Sequence, residues 1–312
     1  MEKLILNFWG INVCINSNND AFLDFTKRYF KGFELVTLVS EPVIDLVFNF
    51  EKGFRFKVDR KSESLDEFLG EKAGMQKGSY VFQYQEVDAT IKFEDSLWSS
   101  EVRFKKNLFK HFANLLFFRG LDTQKHYYRF VVRLIIQNLI FMKIKQGQNK
   151  EVLSGAAISV NNEAYVFLGL PGAGKSTLIK QLMKDNPGAK ILTENYVVIS
   201  GDRVYFYTEG AGDNCLDSYL IKKLYIISRG AEAVIEKISP ENAFSQIIAV
   251  NNYTAELPMH GPFAGYILYN PTFMFMLGNE TLQKLLEIIP AYRARIDKDA
   301  NKFMKLFFKK DE

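Results

Sequence analysis

The stretch Ala164–Ile179, AYVFLGLPGAGKSTLI, decides how the rest of this chain is read. Tyr165 to Leu168 form an apolar run that reads as a buried strand. From Ser176 onward, Leu178, Ile179 and Leu182 recur on one helical face. Between strand and helix lies Gly169-Leu-Pro-Gly-Ala-Gly174-Lys175-Ser176, with the spacing G-x-x-x-x-G-K-S/T of a P-loop. That arrangement suits a phosphate. Successive backbone N–H groups wrap its oxygens, and the helix N-terminus adds partial positive charge. Glycines let the backbone turn sharply and come close. Gly169, Pro171, Gly172, Ala173, Gly174, Lys175, Ser176 and Thr177 are therefore the expected nucleotide-binding residues. Lys175 would reach the terminal phosphates and the Ser176 hydroxyl would hold Mg²⁺. The expected ligands are ATP, or another nucleoside triphosphate, and Mg²⁺. The plainer alternative is a strand–turn–helix with an incidental lysine.

Composition narrows the classes of function. The chain has 312 residues, enough for two domains of ordinary size. Hydrophobic residues at 47% and charged residues at 24% describe a globular protein, and 28 phenylalanines allow large cores. A net charge of +4, from 40 basic and 36 acidic side chains, is too balanced to argue for a nucleic-acid partner. Cys14 and Cys215 build no disulfide framework and have no metal-ligand spacing, so a reducing cytoplasm is the expected location. Met1–Gly10 lacks a signal-peptide pattern, and no apolar run of about 18 residues is free of charge, so no membrane partner is expected.

Taken in order, the first half reads as an α+β module. Leu4–Val13 reads as a strand or a hairpin bent at Gly10-Ile11, and Ala21–Tyr29 as a helix capped within Ser17–Asp20. Strands follow at Val43–Phe50 and Phe54–Val58, joined by a turn at Glu51-Lys52-Gly53. Leu65–Met75 is ambiguous, and Ser79–Tyr84, Asp88–Phe93 and Ser99–Phe104 read as a meander. Asn107–Phe118 and Tyr128–Lys145 have helical spacing. The aromatic helix Tyr127–Phe141 reads as core or as a subunit contact, which leaves a homo-oligomer open. The polar stretch Gln146–Lys150 is the expected boundary between domains 1–148 and 149–312.

In the second half, Val152–Val160 and Glu163–Leu168 read as a hairpin that feeds the P-loop. Ala189–Leu192 reads as a strand, and Tyr196–Ser200 and Arg203–Tyr207 as a hairpin around Gly201-Asp202. Lys222–Ser228 and Ala233–Ile238 are further strands, and a helix starts at Ser239-Pro240-Glu241. Pro258–Pro271 reads as an irregular loop, and Glu280–Ile288 and Ala291–Phe308 as helices. Hairpins flank the P-loop, so the expected sheet is mixed, with much antiparallel pairing. The combined fold class is α/β with an α+β first half.

No strand ends in the hydrophobic-run-plus-Asp of a usual Walker B segment. Asp202 sits where a Gly-Asp turn is expected for backbone reasons alone. Glu194 follows Lys190-Ile-Leu-Thr, at a strand end next in sequence to the P-loop helix, where ligands collect in open α/β sheets. It is the candidate catalytic and metal-contacting acid, set against a plain solvated strand end. Arg229 offers either a phosphate contact or a simple Arg-Gly turn. His111 and His126 read as surface or packing residues, and His260 as a loop residue open to a substrate-side role.

An ordered set of segments then resembles a known family. Leu153-Ser-Gly-Ala-Ala-Ile158, the P-loop, Ile191-Leu-Thr-Glu-Asn195, Leu224-Tyr-Ile-Ile-Ser-Arg-Gly230 and Ile235-Glu-Lys-Ile-Ser239 look like the catalytic domain of HPr kinase/phosphorylase and its wider group of P-loop kinases. The resemblance covers about Leu153 to Val250. It implies a mixed sheet of that family's C-terminal type. It also implies transfer of a nucleotide's terminal phosphate to a serine-type hydroxyl on a peptide, protein or small molecule. The family's upstream histidine falls on Ser154, and its paired aspartates fall on Glu194 and Asn195. All three differ, although Glu194 keeps a carboxylate. The extended signature after Arg-Gly is also missing, since Ala-Glu-Ala follows Gly230. The resemblance therefore implies a kinase with Glu194 and Lys175 as its catalytic residues. Alternatively, it implies a nucleotide-binding regulatory or interaction protein with degenerate catalytic residues.

Overall fold

A computed structural model describes residues 2–34, 43–55, 66–68, 71–76, 79–84, 87–94, 97–107, 123–147, 150–207, 217–253, 279–297 and 300–309. The described residues divide into two compact units, with the break between Met142 and Lys143. That point lies inside a helix, ahead of the polar stretch at 146–150 where the sequence sets the boundary.

In the first unit, β1 (Glu2–Phe8) and β2 (Ile11–Ser17) form a hairpin. Trp9 and Gly10 in its turn have φ of 51° and 97°, the left-handed pair that matches the twist of the strands. Helix α1 (Asp20–Tyr29) is capped by Asn19, whose side chain accepts a hydrogen bond from the Phe22 amide at 3.1 Å. Six more strands follow: β3 (Ile44–Arg55), β4 (Asp66–Phe68), β5 (Glu71–Gln76), β6 (Ser79–Tyr84), β7 (Val87–Phe93) and β8 (Trp98–Asn107). They complete a sheet of order β1-β2-β3-β8-β7-β6-β5-β4, in which β2–β3 and β3–β8 run parallel.

The turn expected at Glu51–Gly53 is not there. β3 runs through it, with a register shift against β8 between Phe50 and Phe54, so the extra residues are taken up as a bulge. The single helix expected over Tyr128–Lys145 is instead α2 (Thr123–Val131), a π-helical turn (Val132–Gln137) and α3 (Asn138–Gly147). The π turn opens onto an uninterrupted buried run from Ile135 to Met142, and hydrophobic periodicity carries no signal for it. Phe22 of α1 packs on Phe48, Phe50 and Tyr128, with ring centroids 4.9, 5.1 and 5.4 Å away.

The second unit carries the P-loop sequence. Its first elements are β9 (Glu151–Val160), β10 (Glu163–Leu168), α4 (Lys175–Asp185), β11 (Lys190–Thr193), β12 (Tyr196–Ser200) and β13 (Arg203–Tyr205). Next come β14 (Ser218–Arg229), β15 (Val234–Lys237), α5 (Pro240–Tyr253), α6 (Asn279–Ile288), β16 (Ala291–Ile296) and α7 (Asn301–Lys309). The sheet order is β10-β9-β12-β13-β14-β16-β15, with β11 on β9. β10 also pairs with β14, so β9, β10, β14, β13 and β12 close a ring. The β10–β14 and β14–β16 ladders are parallel and the others antiparallel. The architecture is thus α/β with mixed sheets. Leu178, Ile179 and Leu182 of α4 and Phe303 and Phe307 of α7 share one core with Phe167, Tyr225, Ile227 and Ala294 of the sheet.

One expected helix is a strand. Ala291–Ile296 pairs with β14 on one side and β15 on the other, and only Asn301–Lys309 is helical. Alanine and arginine favour helix locally, but Tyr292, Ala294 and Ile296 alternate with Arg293 and Arg295, and the ladders on both sides override the propensity. Asp297 separates the two elements. Its carboxylate accepts from the amides of Lys302 and Phe303 at 3.4 and 3.2 Å, at the start of α7. Residues 108–118 of one expected helix, the expected loop at Pro258–Pro271, and His111, Cys215 and His260 lie outside the described residues. Among the described residues, no helix is long and apolar enough to cross a membrane.

Gly155 leaves no room for a side chain in the ring. A Cβ there would lie 2.5 Å from Leu168 Cδ2 and 2.8 Å from the Phe167 carbonyl oxygen. Gly155→Ala is expected to lower stability by about 2 kcal/mol in urea unfolding, because the neighbouring backbone cannot give way.

Candidate functional site

The turn after β10 begins with Gly169, which is buried. A side chain at this position would collide with β14, since a Cβ would lie 2.6 Å from the Ile227 carbonyl oxygen. Within the turn, the Ala173 amide donates to the Leu170 carbonyl at 3.0 Å, and Gly172 and Gly174 have φ of 81° and 102°. Only glycine takes such values without strain. Gly174 is also the N-cap of α4. The first intrahelical bond runs from the Leu178 amide to the Gly174 carbonyl at 2.9 Å. The amides of the first turn ahead of Leu178 have no intrahelical acceptor, and a glycine cap supplies no side chain to them. They are the anion-attracting end of the helix.

Two cations hold the turn's own carbonyls. Lys175 Nζ donates to the carbonyls of Gly169 and Leu170 at 2.5 and 3.1 Å. Arg229, at the end of β14, donates from Nε to the Gly172 carbonyl at 3.0 Å. β10 and β14 are parallel, so both strands end at the same edge, and the turn and Arg229 meet there.

Together with residues from β9 and from the β11–β12 turn, these elements border one open cleft of about 270 Å³. Pro171, Gly172, Gly174, Lys175, Ser176, Thr177, Ser154, Glu194, Asn195 and Arg229 line it. Gly169 and Ala173 do not. They are buried beneath the turn and shape it from below. Glu194 and Asn195 are exposed at the cleft wall, and Ser154 is buried at 4% exposure across from Tyr196 of β12. The Thr193 hydroxyl donates to the Tyr196 carbonyl, and the Asn195 carbonyl accepts from the Gly155 amide at 3.1 Å, so the turn bearing Glu194 is tied at both ends. Asp202 is not part of the site. It lies in the turn at the other end of β12, where its carbonyl accepts from the Ile221 amide at 2.8 Å.

The donor set suits a polyphosphate and a hard divalent ion. A Cβ on Gly172 would meet nothing within 4 Å, so there is open space beside the turn at this residue. Ser176 offers a hydroxyl and Glu194 a carboxylate, both exposed on the same cleft. No cluster of three His, Cys, Asp or Glu side chains occurs among the described residues. Mg²⁺ is commonly held by one or two protein oxygens plus substrate phosphates and water. Arg229 is the residue whose part sequence reading left open. Its signal was present in Arg229-Gly230, but only the strand pairing reveals what it faces.

In comparison with known proteins, no family model matches the chain and no curated protein is significantly similar to it in sequence.

The Thr193 hydroxyl is the buried tie of the Glu194 turn. Thr193→Val keeps the shape and removes the donor, and it is expected to cost about 1 kcal/mol in urea unfolding.

Proposed function

We propose that the second unit binds a nucleoside triphosphate with Mg²⁺ at Gly169–Thr177 and transfers its terminal phosphate to a hydroxyl on a peptide, protein or small molecule. The observation that carries this reading is the open turn between a buried strand and a helix N-terminus, with Lys175, Arg229 and Glu194 on one cleft. The resemblance to the HPr-kinase group points the same way through the order of its segments.

In this reading the backbone amides of the turn and first helical turn bind the phosphate oxygens. Lys175 exchanges its two carbonyl partners for the terminal phosphates. Arg229 meets the negative charge that spreads over the transferred group. Glu194 takes the proton of the acceptor hydroxyl as its oxygen attacks the terminal phosphorus. The bond from phosphorus to the bridging oxygen breaks, and the nucleoside diphosphate leaves. Ser176, with Glu194 beside it, would hold Mg²⁺, which supplies charge neutralisation for the phosphates. Ser154 and Asn195, where the family has a histidine and an aspartate, favour a second reading: a regulatory protein that binds nucleotide without transferring phosphate.

Calorimetry with MgATP and a transfer assay with labelled ATP and candidate serine-bearing acceptors test both. Lys175→Ala is expected to weaken MgATP binding about tenfold or more, because a charge-assisted contact is lost. Glu194→Gln is expected to keep binding and abolish transfer. Binding with no transfer by the unaltered chain would establish the second reading. No MgATP binding, or an unchanged affinity in Lys175→Ala, would sink both.

A further inference from the structure

β16 has two faces of opposite character. Tyr292, Ala294 and Ile296 point to the core shared with α4 and α7. Arg293 and Arg295 point the other way. Residues paired across a ladder share a face, so the partners of the arginines are Glu236 and Val234 on β15 and Ile226 and Ser228 on β14. Val234, Glu236, Arg293 and Arg295 line a second cleft of about 270 Å³.

The two arginines are not equivalent. Arg293 Nε donates to Gln246 of α5 at 3.4 Å, and its guanidinium lies 3.9 Å from the Glu236 carboxylate. The Arg295 guanidinium has no hydrogen bond or ion pair among the described residues. Its stem is nonetheless seated, because a Cβ on Gly230 would lie 3.2 Å from Arg295 Cδ and 3.4 Å from its Cβ. A glycine at 230 leaves the room the arginine uses. Arg295 is thus an exposed guanidinium on a placed stem, with an apolar neighbour in Val234 and a carboxylate nearby that already serves another arginine.

The position relative to the P-loop cleft gives this a purpose. Ser228 and Arg229 are consecutive on β14 and point to opposite faces of the sheet. Arg229 reaches the turn at Gly172, while Ser228 lies beside Arg295. The two clefts therefore lie on opposite faces of the sheet at one end of β14.

We propose that the Arg295 cleft seats a carboxylate of the acceptor, so that the preferred acceptor is a hydroxyl-bearing peptide segment with an acidic side chain near its serine. This rests on the phosphotransfer reading above and narrows it to an acidic substrate class. A guanidinium fork binds a carboxylate through two parallel N–H donors, which fixes direction as well as position.

The test uses the full-length chain and a short fluorescein-labelled peptide with one serine among glutamates, read by fluorescence anisotropy. A peptide with lysines in place of the glutamates serves as control. The acidic peptide is expected to bind, the basic one not, and inorganic phosphate at equal concentration is expected not to displace it. Arg295→Ala should weaken binding about threefold and Arg295→Glu about tenfold, since the latter also adds repulsion. MgATP affinity should be unchanged in both, and Arg295→Lys should recover part of the loss. If Arg295→Glu binds the acidic peptide as the unaltered chain does, the proposal fails whatever the nucleotide does. Displacement by inorganic phosphate would mark a simple anion site and overturn the peptide assignment. Acidic-peptide binding through Arg295 by a chain that binds no MgATP would keep the docking site and overturn the phosphotransfer reading instead.

Discussion

The parallel ladder between β10 and β14 is the constraint on which the second unit depends. It pairs Phe167 with Tyr225 and Leu168 with Ile226, and the Phe167 and Tyr225 rings stack with centroids 5.5 Å apart. Parallel pairing ends both strands at one edge, so the Gly169 turn and Arg229 emerge side by side although they are distant in sequence. The same ladder forces Gly169 to be glycine, because the Ile227 carbonyl fills the space a side chain would need. It also closes the ring through β9, β12 and β13, which carries the Glu194 turn to the same edge.

Within that frame the turn is held by its own residues. Carbonyl oxygens of Gly169, Leu170 and Gly172 are engaged by Lys175 and Arg229. Two cations beside a helix N-terminus favour an anion. The cations that steady the loop are also those best placed to exchange a neutral carbonyl for a phosphate oxygen, a stronger partner. In the proposed reading, Ser154 and Asn195 would weaken transfer more than nucleotide binding, because binding would rest chiefly on backbone and Lys175.

Much of this was legible in the residues. The P-loop spacing, the apolar run before it and the face of Leu178, Ile179 and Leu182 give strand, turn and helix directly. The Asn161-Asn162 turn, with φ of 52° and 64°, follows from residues that tolerate left-handed backbone. Glu194 was legible as a strand-end acid. The first unit's meander was equally plain, but the bulge in β3 was not, because Glu51-Lys52-Gly53 reads locally as a turn and only the ladder to β8 keeps it extended. The π turn at Val132–Gln137 was likewise hidden in an apolar run.

The sequence by itself determined the glycine-rich turn, its lysine and hydroxyls, and the alternation of strands that makes the sheet mixed. These are short-range matters of backbone freedom and hydrophobic period, and neighbours in the chain settle them. Tertiary structure alone decided that Ala291–Ile296 is a strand, that Arg229 meets Gly172 and that the Arg295 guanidinium has no hydrogen bond or ion pair among the described residues. The physical reason is one and the same. Each depends on which strand lies alongside, and pairing between distant segments is fixed by shared burial and ladder hydrogen bonds rather than by local preference.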